Sequence, residues 1–284
     1  MRQRHFVAAI SVLTFAVAGY GAWQLVKPQS EIGADRGAAL DRIYTPPEIT
    51  SVVERDSRMV IEGTGEPSAI VTVSVNGKRE RSVPADASGE WSSEVAVDPA
   101  SALEISVESF LDDLGLKGDQ TVLRVPAPGV EDGIAQRPLI LLTSPGGPSR
   151  VVQTPFGQPI SDGPLELLVM EYDNRGGTVF AGRGEPGSSV NLASPRGRLG
   201  TVGVGDDGRW FSVIVEPDAS TMREYTLTDT RGRGISVAYS PLPISESTSF
   251  APDHWQVRRD LEGGGSQVAV VFATPVATEE EVEG

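Results

Sequence analysis

Short segments with apolar residues at alternate positions fill most of the chain from residue 48 onward. In Ala69–Val75, three valines occupy every second position, so a strand formed there has one apolar face. Asn76-Gly77 follows directly, and this dipeptide is the strongest short signal for a hairpin turn. The pattern between 48 and 127 predicts about seven short strands, the number found in two-sheet β-sandwiches. The expected fold class is therefore all-β.

A second set of such segments, between 165 and 240, repeats the first. Val179–Trp210 aligns without a gap with Val60–Trp91, at an offset of 119 residues (182 − 63 = 119). Both copies contain G-x-G-E-P and end in a turn glycine with tryptophan two positions later. The shared residues are Gly63, Gly65, Glu66, Pro67, Gly89 and Trp91, which return as Gly182, Gly184, Glu185, Pro186, Gly208 and Trp210. The repeat predicts two tandem immunoglobulin-like sandwiches, at 48–127 and 165–240.

The residues of the repeat have a structural interpretation and two functional alternatives. Glycine permits positive φ or close approach of chains, and proline fixes the turn that follows. A phosphate-binding loop is the first alternative, but the motif lacks the Lys-Ser/Thr pair of a nucleotide loop. The second is that Trp91 and Trp210 stack on sugars. Their identical placement in both copies favours packing in the core instead.

Two further segments, 137–155 and 253–275, predict β-hairpins. Each contains two strand-like runs around a glycine-rich turn. They end in Thr154-Pro155 and Thr274-Pro275, at an offset of 120 residues (274 − 154 = 120). The expected unit is therefore a sandwich followed by a hairpin, used twice.

The ends of the chain predict a membrane anchor and a solvated tail. Residues 6–26 form an uncharged apolar run of 21 residues after Arg2 and Arg4. As a helix, this run would cover about 30 Å, the thickness of a bilayer core. Arginine before the span places residues 1–5 in the cytoplasm and the rest of the chain outside. A signal peptide cleaved near Ala16-Val17-Ala18 is the alternative. Residues 27–47 are predicted as a linker, and 276–284 as an acidic disordered tail.

Composition excludes several classes of function. The net charge of −15 opposes nucleic-acid binding, which needs a basic surface. The chain has no cysteine, so it has neither disulfides nor thiolate metal ligands, and it has only two histidines. Asp206-Asp207 does not complete a calcium loop of the D-x-D-x-D-G type. His254 lacks a G-x-S-x-G partner motif. No catalytic, cofactor-binding or metal-binding residue is therefore assigned, and no cofactor is expected.

The repeat resembles the bacterial Ig-like modules of cell-envelope proteins. The similarity is greatest to the Ig-like region of membrane-anchored alphaproteobacterial proteins that carry a C-terminal LysM module. Leu141–Gln153 and Trp255–Phe272 strengthen this resemblance, which covers roughly Glu48 to Phe272. It implies a sandwich fold, a location outside the cytoplasmic membrane and no catalytic residues. No LysM-like segment follows Pro275 in this sequence, so the resemblance does not extend to the peptidoglycan-binding module.

The expected function is that of a non-enzymatic structural or binding protein of the bacterial envelope, anchored in the inner membrane and largely periplasmic. A protein partner is expected, with strand addition as the mode of binding. The candidate binding surface comprises Trp255, Arg258 and Arg259. The alternatives are a binder of peptidoglycan or another glycan, and an enzyme whose site the sequence does not reveal.

Overall fold

The computed structural model describes most of the chain after residue 43. The described residues are 44–112, 114–127, 130–131, 134–135, 137–144, 147–156, 165–173, 176–215, 224–243, 245–260 and 265–273. Within these ranges the regular structure is all β, and no helix is long and apolar enough to cross a membrane. The predicted membrane span at 6–26 and the acidic tail lie outside the described residues, as does most of the linker.

The first sandwich is built from seven strands in two antiparallel sheets. These strands are β1 Glu48–Arg55, β2 Arg58–Thr64, β3 Ile70–Val75, β4 Lys78–Pro84, β5 Glu90–Ala96, β6 Leu103–Leu111 and β7 Leu114–Val125. One sheet has the order β1-β2-β5, and the other contains β7-β6-β3-β4. Asn76 and Gly77 both have positive φ in the turn between β3 and β4, as the hairpin signal requires. Two short strands follow, β8 Val130–Glu131 and β9 Ile134–Ala135.

The second sandwich has the same strand arrangement. Its strands are β12 Leu165–Asp173, β13 Gly177–Gly184, β14 Ser189–Ser194, β15 Gly197–Gly203, β16 Arg209–Val215, β17 Glu224–Asp229 and β18 Gly234–Ala238. At the offset of 119 residues, β14, β15 and β16 match β3, β4 and β5 from first to last residue. Both modules also have a register shift beside the first glycine of the motif: it follows the pair Ile49–Gly63 in the first module and the pair Leu167–Gly182 in the second.

The two hairpins join sheets that are not equivalent. The first pairs β10 Leu139–Thr143 with β11 Arg150–Gln153, and the second pairs β20 His254–Asp260 with β21 Ser266–Phe272. Strand β10 pairs with β7, whereas β21 pairs with β12, which corresponds to β1 of the first module. A short strand, β19 Thr248–Phe250, adds to β20. Both hairpins are present at the predicted places in the chain, and they attach to different edges of their sandwiches.

These attachments create four layers of sheet with three apolar cores between them. Strand β10 shows this well, because Ile140 faces the core of the first sandwich while Leu139 and Leu141 face away from it. We call the middle layer of side chains the junction core. It contains Val125, Leu139, Leu141, Val151, Val169, Ala181, Trp255, Val257, Ala269 and Val271. Strands buried on both faces lose the alternating pattern, which explains the continuous apolar runs of β10 and β21.

The glycines of the repeat make room for its tryptophans. A Cβ atom on Gly63 would lie 2.3 Å from the Trp91 ring, and one on Gly182 would lie 2.6 Å from the Trp210 ring. Both tryptophans are buried, and each indole N–H donates to a main-chain carbonyl, at 3.1 Å in the first copy and 2.9 Å in the second. The turn glycine, Gly208 in the second copy, has a positive φ of 73°. The motif therefore packs each tryptophan against a glycine of its own module.

Candidate functional site

Trp255, proposed from the sequence as part of a binding surface, is only 1 % exposed. Its ring belongs to the junction core, and its centroid lies 4.4 Å from that of Phe250 and 6.2 Å from that of Phe156. Trp255 therefore does not form the exposed surface that the sequence suggested. The reason is that β20 lies in the sheet that packs against the first module, which the local sequence does not reveal.

The two arginines beside Trp255 are half-buried and make structural contacts. Arg258 donates to the carbonyl of Leu242 at 3.2 Å. Arg259 donates to the Gln267 side chain at 2.6 and 2.9 Å, and to the Thr143 hydroxyl at 2.7 Å. Thr143 belongs to β10 of the first module, so Arg259 joins the two modules directly.

Glu171 makes a second polar connection across the junction. It is 2 % exposed, and its carboxylate accepts the amide of Ser149 at 2.8 Å and the Ser149 hydroxyl at 2.6 Å. Burial raises the pKa of Glu171, while the two hydrogen bonds and the charge of Arg259 oppose that rise. With the apolar junction core, these contacts fix the orientation of the two modules.

An open groove begins where the junction core ends. The first module contributes residues 148–151 to one wall, and the second contributes the outer face of β12, β13 and the start of β16. The cavity has a volume of about 650 Å³. Its surface is mainly apolar, with Val151, Leu168, Val169, Ala181 and Phe211 among its lining residues. A pocket of this size accepts several side chains of a bound segment.

Three arginines surround this apolar groove. Arg150 comes from the first module, and Arg183 and Arg209 come from the second. Burial and then the positive charge of Arg209 lower the pKa of the Arg150 guanidinium, and Glu48 opposes this effect. Asp207 lies 3.8 Å from Arg209 and is the carboxylate among the lining residues. The rim is therefore cationic, although the whole chain carries a net charge of −15.

An apolar stripe continues from the groove along β16, which is the edge strand of its sheet. Phe211 is 53 %, Val213 58 % and Val215 77 % exposed. These three residues share one face of the strand because side chains alternate along it. Exposed apolar patches of this kind mark interaction surfaces.

Sequence reasoning missed the groove and the stripe, although one signal was present. In the first module, the positions equivalent to the stripe are Ser92, Glu94 and Ala96. The change from Ser92, Glu94 and Ala96 to Phe211, Val213 and Val215 is a difference between the two copies, and it makes this face of the second module more apolar.

The other residues considered from the sequence have ordinary structural roles. His254 Nδ1 lies 2.8 Å from the Asp253 carboxylate, and its Nε2 lies 3.4 Å from the Gln256 amide nitrogen. Asp207 accepts the amide of Arg209 at 3.1 Å within the turn before β16. Among the residues that the structure describes, no group of three His, Asp or Glu side chains is arranged to hold a metal ion.

No family model and no curated protein sequence matches the chain. Among solved structures, the chain is similar to a Ca²⁺-stabilised adhesin with which an Antarctic bacterium binds ice. The identity is 14 % and the TM-score 0.21, over 68 % of this chain and 71 % of that one. The BSP domain of a biofilm associated protein matches at 14 % identity and a TM-score of 0.23, over 74 % of this chain and 33 % of that one.

Invasin, a bacterial integrin-binding protein, matches at 13 % identity and a TM-score of 0.19, over 79 % of this chain and 54 % of that one. The chain thus spans about a third of the biofilm protein and about half of invasin. Likenesses at these TM-scores carry no argument about function. The assignment of two β-sandwich modules rests on the strands and cores described above.

Proposed function

We propose that the chain is a membrane-anchored, non-enzymatic binding protein of the bacterial envelope, and that it holds a protein partner in the groove between its modules. The observation that carries this proposal is the combination of an apolar groove with the rim arginines Arg150, Arg183 and Arg209. The partner that fits is a protein segment with apolar side chains and at least one carboxylate.

The fixed orientation of the modules supports this role. The groove has one wall from each module, so its shape depends on the junction core and on the contacts of Glu171 and Arg259. A site held by rigid elements loses little conformational entropy when a ligand binds. The location outside the cytoplasm rests on the apolar run at 6–26 and the arginines before it.

Glycan recognition is not favoured by this geometry. The tryptophans of the repeat and Trp255 are all buried, at 3 % exposure or less, so none presents a ring face to a sugar. The groove instead offers aliphatic surface and guanidinium groups, which suit a peptide segment with an acidic residue.

Site-specific photo-crosslinking in cells tests the proposal. A photoreactive amino acid replaces Gly203, which lines the groove and has open space beside it, so the three rim arginines stay in place. A matched control carries it at Pro84, the equivalent position in the first module. We expect one defined protein adduct from position 203 and none from position 84. The adduct should also disappear when Arg150→Glu reverses the charge of the opposite wall. Equal labelling from both positions, or an adduct that survives this charge reversal, would contradict the proposal.

A further inference from the structure

The outer edge of the first module is protected by charged side chains. Glu94 of β5 pairs with Arg58 of β2 at 2.5 Å. Arg81 of β4 donates to the main-chain carbonyl of Glu94 at 3.4 Å. Charges at a sheet edge prevent another strand from pairing there, because the incoming strand would have to displace or desolvate them.

The second module has lost all three of these residues. At the offset of 119, Arg58, Arg81 and Glu94 correspond to Gly177, Gly200 and Val213. The replacement extends along the neighbouring strand, where Lys78, Arg81 and Pro84 of β4 correspond to Gly197, Gly200 and Gly203 of β15. A Cβ atom on any of these three β15 glycines would meet no heavy atom within 4 Å. At Gly200 the second module therefore lacks the side chain that crosses from β4 to β5 in the first module, where Arg81 donates to the carbonyl of Glu94.

Strand β16 is the terminal strand of its sheet, and its pairing with β13 extends from Val215 to Arg209. A terminal strand has backbone N–H and C=O groups on its outer side that no strand of its own sheet pairs with. Arg209 carries the only charge in the strand. The remaining six residues are uncharged, so no carboxylates within β16 repel each other when two such edges meet.

We propose that β16 pairs in antiparallel fashion with β16 of a second copy of the chain, about a two-fold axis at Val213. In this register Phe211 lies beside Val215 of the second copy, and the two Val213 side chains face each other. Pairs of aromatic and β-branched residues are favourable across strands. The same surface serves both copies, as a two-fold interface requires. This pairing goes beyond the proposed recognition of a partner and does not depend on it.

The pairing has a geometric consequence for the groove. Residues directly opposite each other in an antiparallel pair point to the same face of the sheet. Phe211 lines the groove in each copy, so both grooves open on one side of a continuous sheet. A partner that carries two matching segments then gains avidity without any new contact.

Cysteine cross-linking of the full chain in its own membranes tests the pairing, and the absence of native cysteine makes the reaction specific. Each variant carries one cysteine and is treated with a short bifunctional maleimide. We expect Val213→Cys to give a cross-linked dimer, and a mixture of Phe211→Cys and Val215→Cys to give more dimer than Phe211→Cys alone. Ser92→Cys, at the protected edge of the first module, leaves Glu94 in place and is the matched control, which should give no cross-linked dimer.

The mass of the detergent-solubilised full chain gives a second measurement. We expect the native chain to be a dimer and Val213→Lys to be a folded monomer, since the side chain at 213 is exposed. A monomeric native chain would overturn the proposal. Equal cross-linking at 92 and 213, or the same yield for all pairs of cysteine positions, would overturn it as well. Neither result bears on the groove, whose own test uses positions 203 and 84.

Discussion

Glu171 of the second module accepts both hydrogen bonds that Ser149 of the first module can donate. The carboxylate is nearly inaccessible to solvent, and burial raises its pKa from the ordinary value of 4.5 despite these hydrogen bonds. A carboxyl group whose pKa is higher in the folded chain favours folding in its protonated form. Its contribution is therefore full below pH 4.5 and is lost as the pH rises through the folded pKa.

Glu171→Gln should therefore stabilise the protein at neutral pH. Glutamine has the same shape, accepts the Ser149 amide and donates to the Ser149 hydroxyl, so both hydrogen bonds remain. The gain in the free energy of unfolding should grow above pH 4.5 by about 1.4 kcal/mol per pH unit until the folded pKa is reached. Chemical denaturation of both proteins from pH 4 to pH 8 measures it.

Other carboxylates titrate in the same experiment but affect both proteins equally. Hydrogen bonds from Ser88 lower the pKa of Asp86, and hydrogen bonds from Ser101 lower that of Asp98. The difference in the free energy of unfolding between the native chain and the variant therefore reports the contribution of Glu171 alone. A difference that is constant from pH 4 to pH 8 would show that Glu171 has the same pKa in the folded and unfolded chain.

Arg124→Met should destabilise the first module by up to about 3–5 kcal/mol, because it leaves the largely buried carboxylate of Glu54 without its partner. Arg124 is 1 % exposed and donates to both oxygens of Glu54, at 2.8 and 2.9 Å, and to the carbonyl of Ser101 at 2.7 Å. Denaturation followed by tryptophan fluorescence gives the loss.

The double variant Arg124→Met/Glu54→Leu is the control for that prediction. With both charges removed, most of the lost stability should return, since apolar residues replace a buried ion pair at little cost. If the double variant is as unstable as Arg124→Met, the loss comes from packing and not from the unpaired charge.

Gly182→Ala should lower the free energy of unfolding by at least about 2 kcal/mol. The new methyl group would lie 1.9 Å from the carbonyl oxygen of Glu166 and 2.6 Å from the Trp210 ring, so the main chain and the ring would both have to move. Gly200→Ala is the matched control, because its methyl group enters open space. It should change stability by no more than about 0.5 kcal/mol. Equal losses in the two variants would rule out the steric explanation.

Trp255→Ala should lower stability by about 3–5 kcal/mol and leave a cavity in the junction core. The ring contacts Phe156 and Phe250, and it lies among the junction-core residues of both modules. Thermal unfolding measures the effect. A variant with native stability would mean that the ring lies at the surface, as the sequence interpretation had it.

The sequence predicted the sandwiches well because their signals are local. The signals are alternating apolar and polar residues, turn dipeptides, and the packing of a glycine against a tryptophan. Each of them acts within about one strand pair, and a single copy of the repeat contains all three. The positions of the hairpins depended on contacts that no local pattern encodes. The hairpin of the first module pairs with β7, and the hairpin of the second pairs with β12. These two strands are edges of different sheets in their sandwiches.

The groove and the stripe escaped prediction for a related reason. Both lie on the side of the second module that faces away from its own core, and the stripe residues differ between the two copies, so the shared residues of the repeat do not indicate them. The run at Leu139–Thr143 did signal burial on two faces, since it lacks any polar alternation. A strand that is buried on both faces needs protein on each side, and the second module provides the second layer over β10.

The junction core also determines how the molecule would carry force. Tandem sandwiches joined only by a linker extend and reorient under a weak pull. Here a force that separates the modules would have to expose Leu139, Leu141, Trp255 and their neighbours together. It would also have to break the hydrogen bonds of Glu171 and Arg259 in the same step. We therefore expect the two modules to behave as one rigid body under load. The distance between its ends should stay constant until the junction core is disrupted.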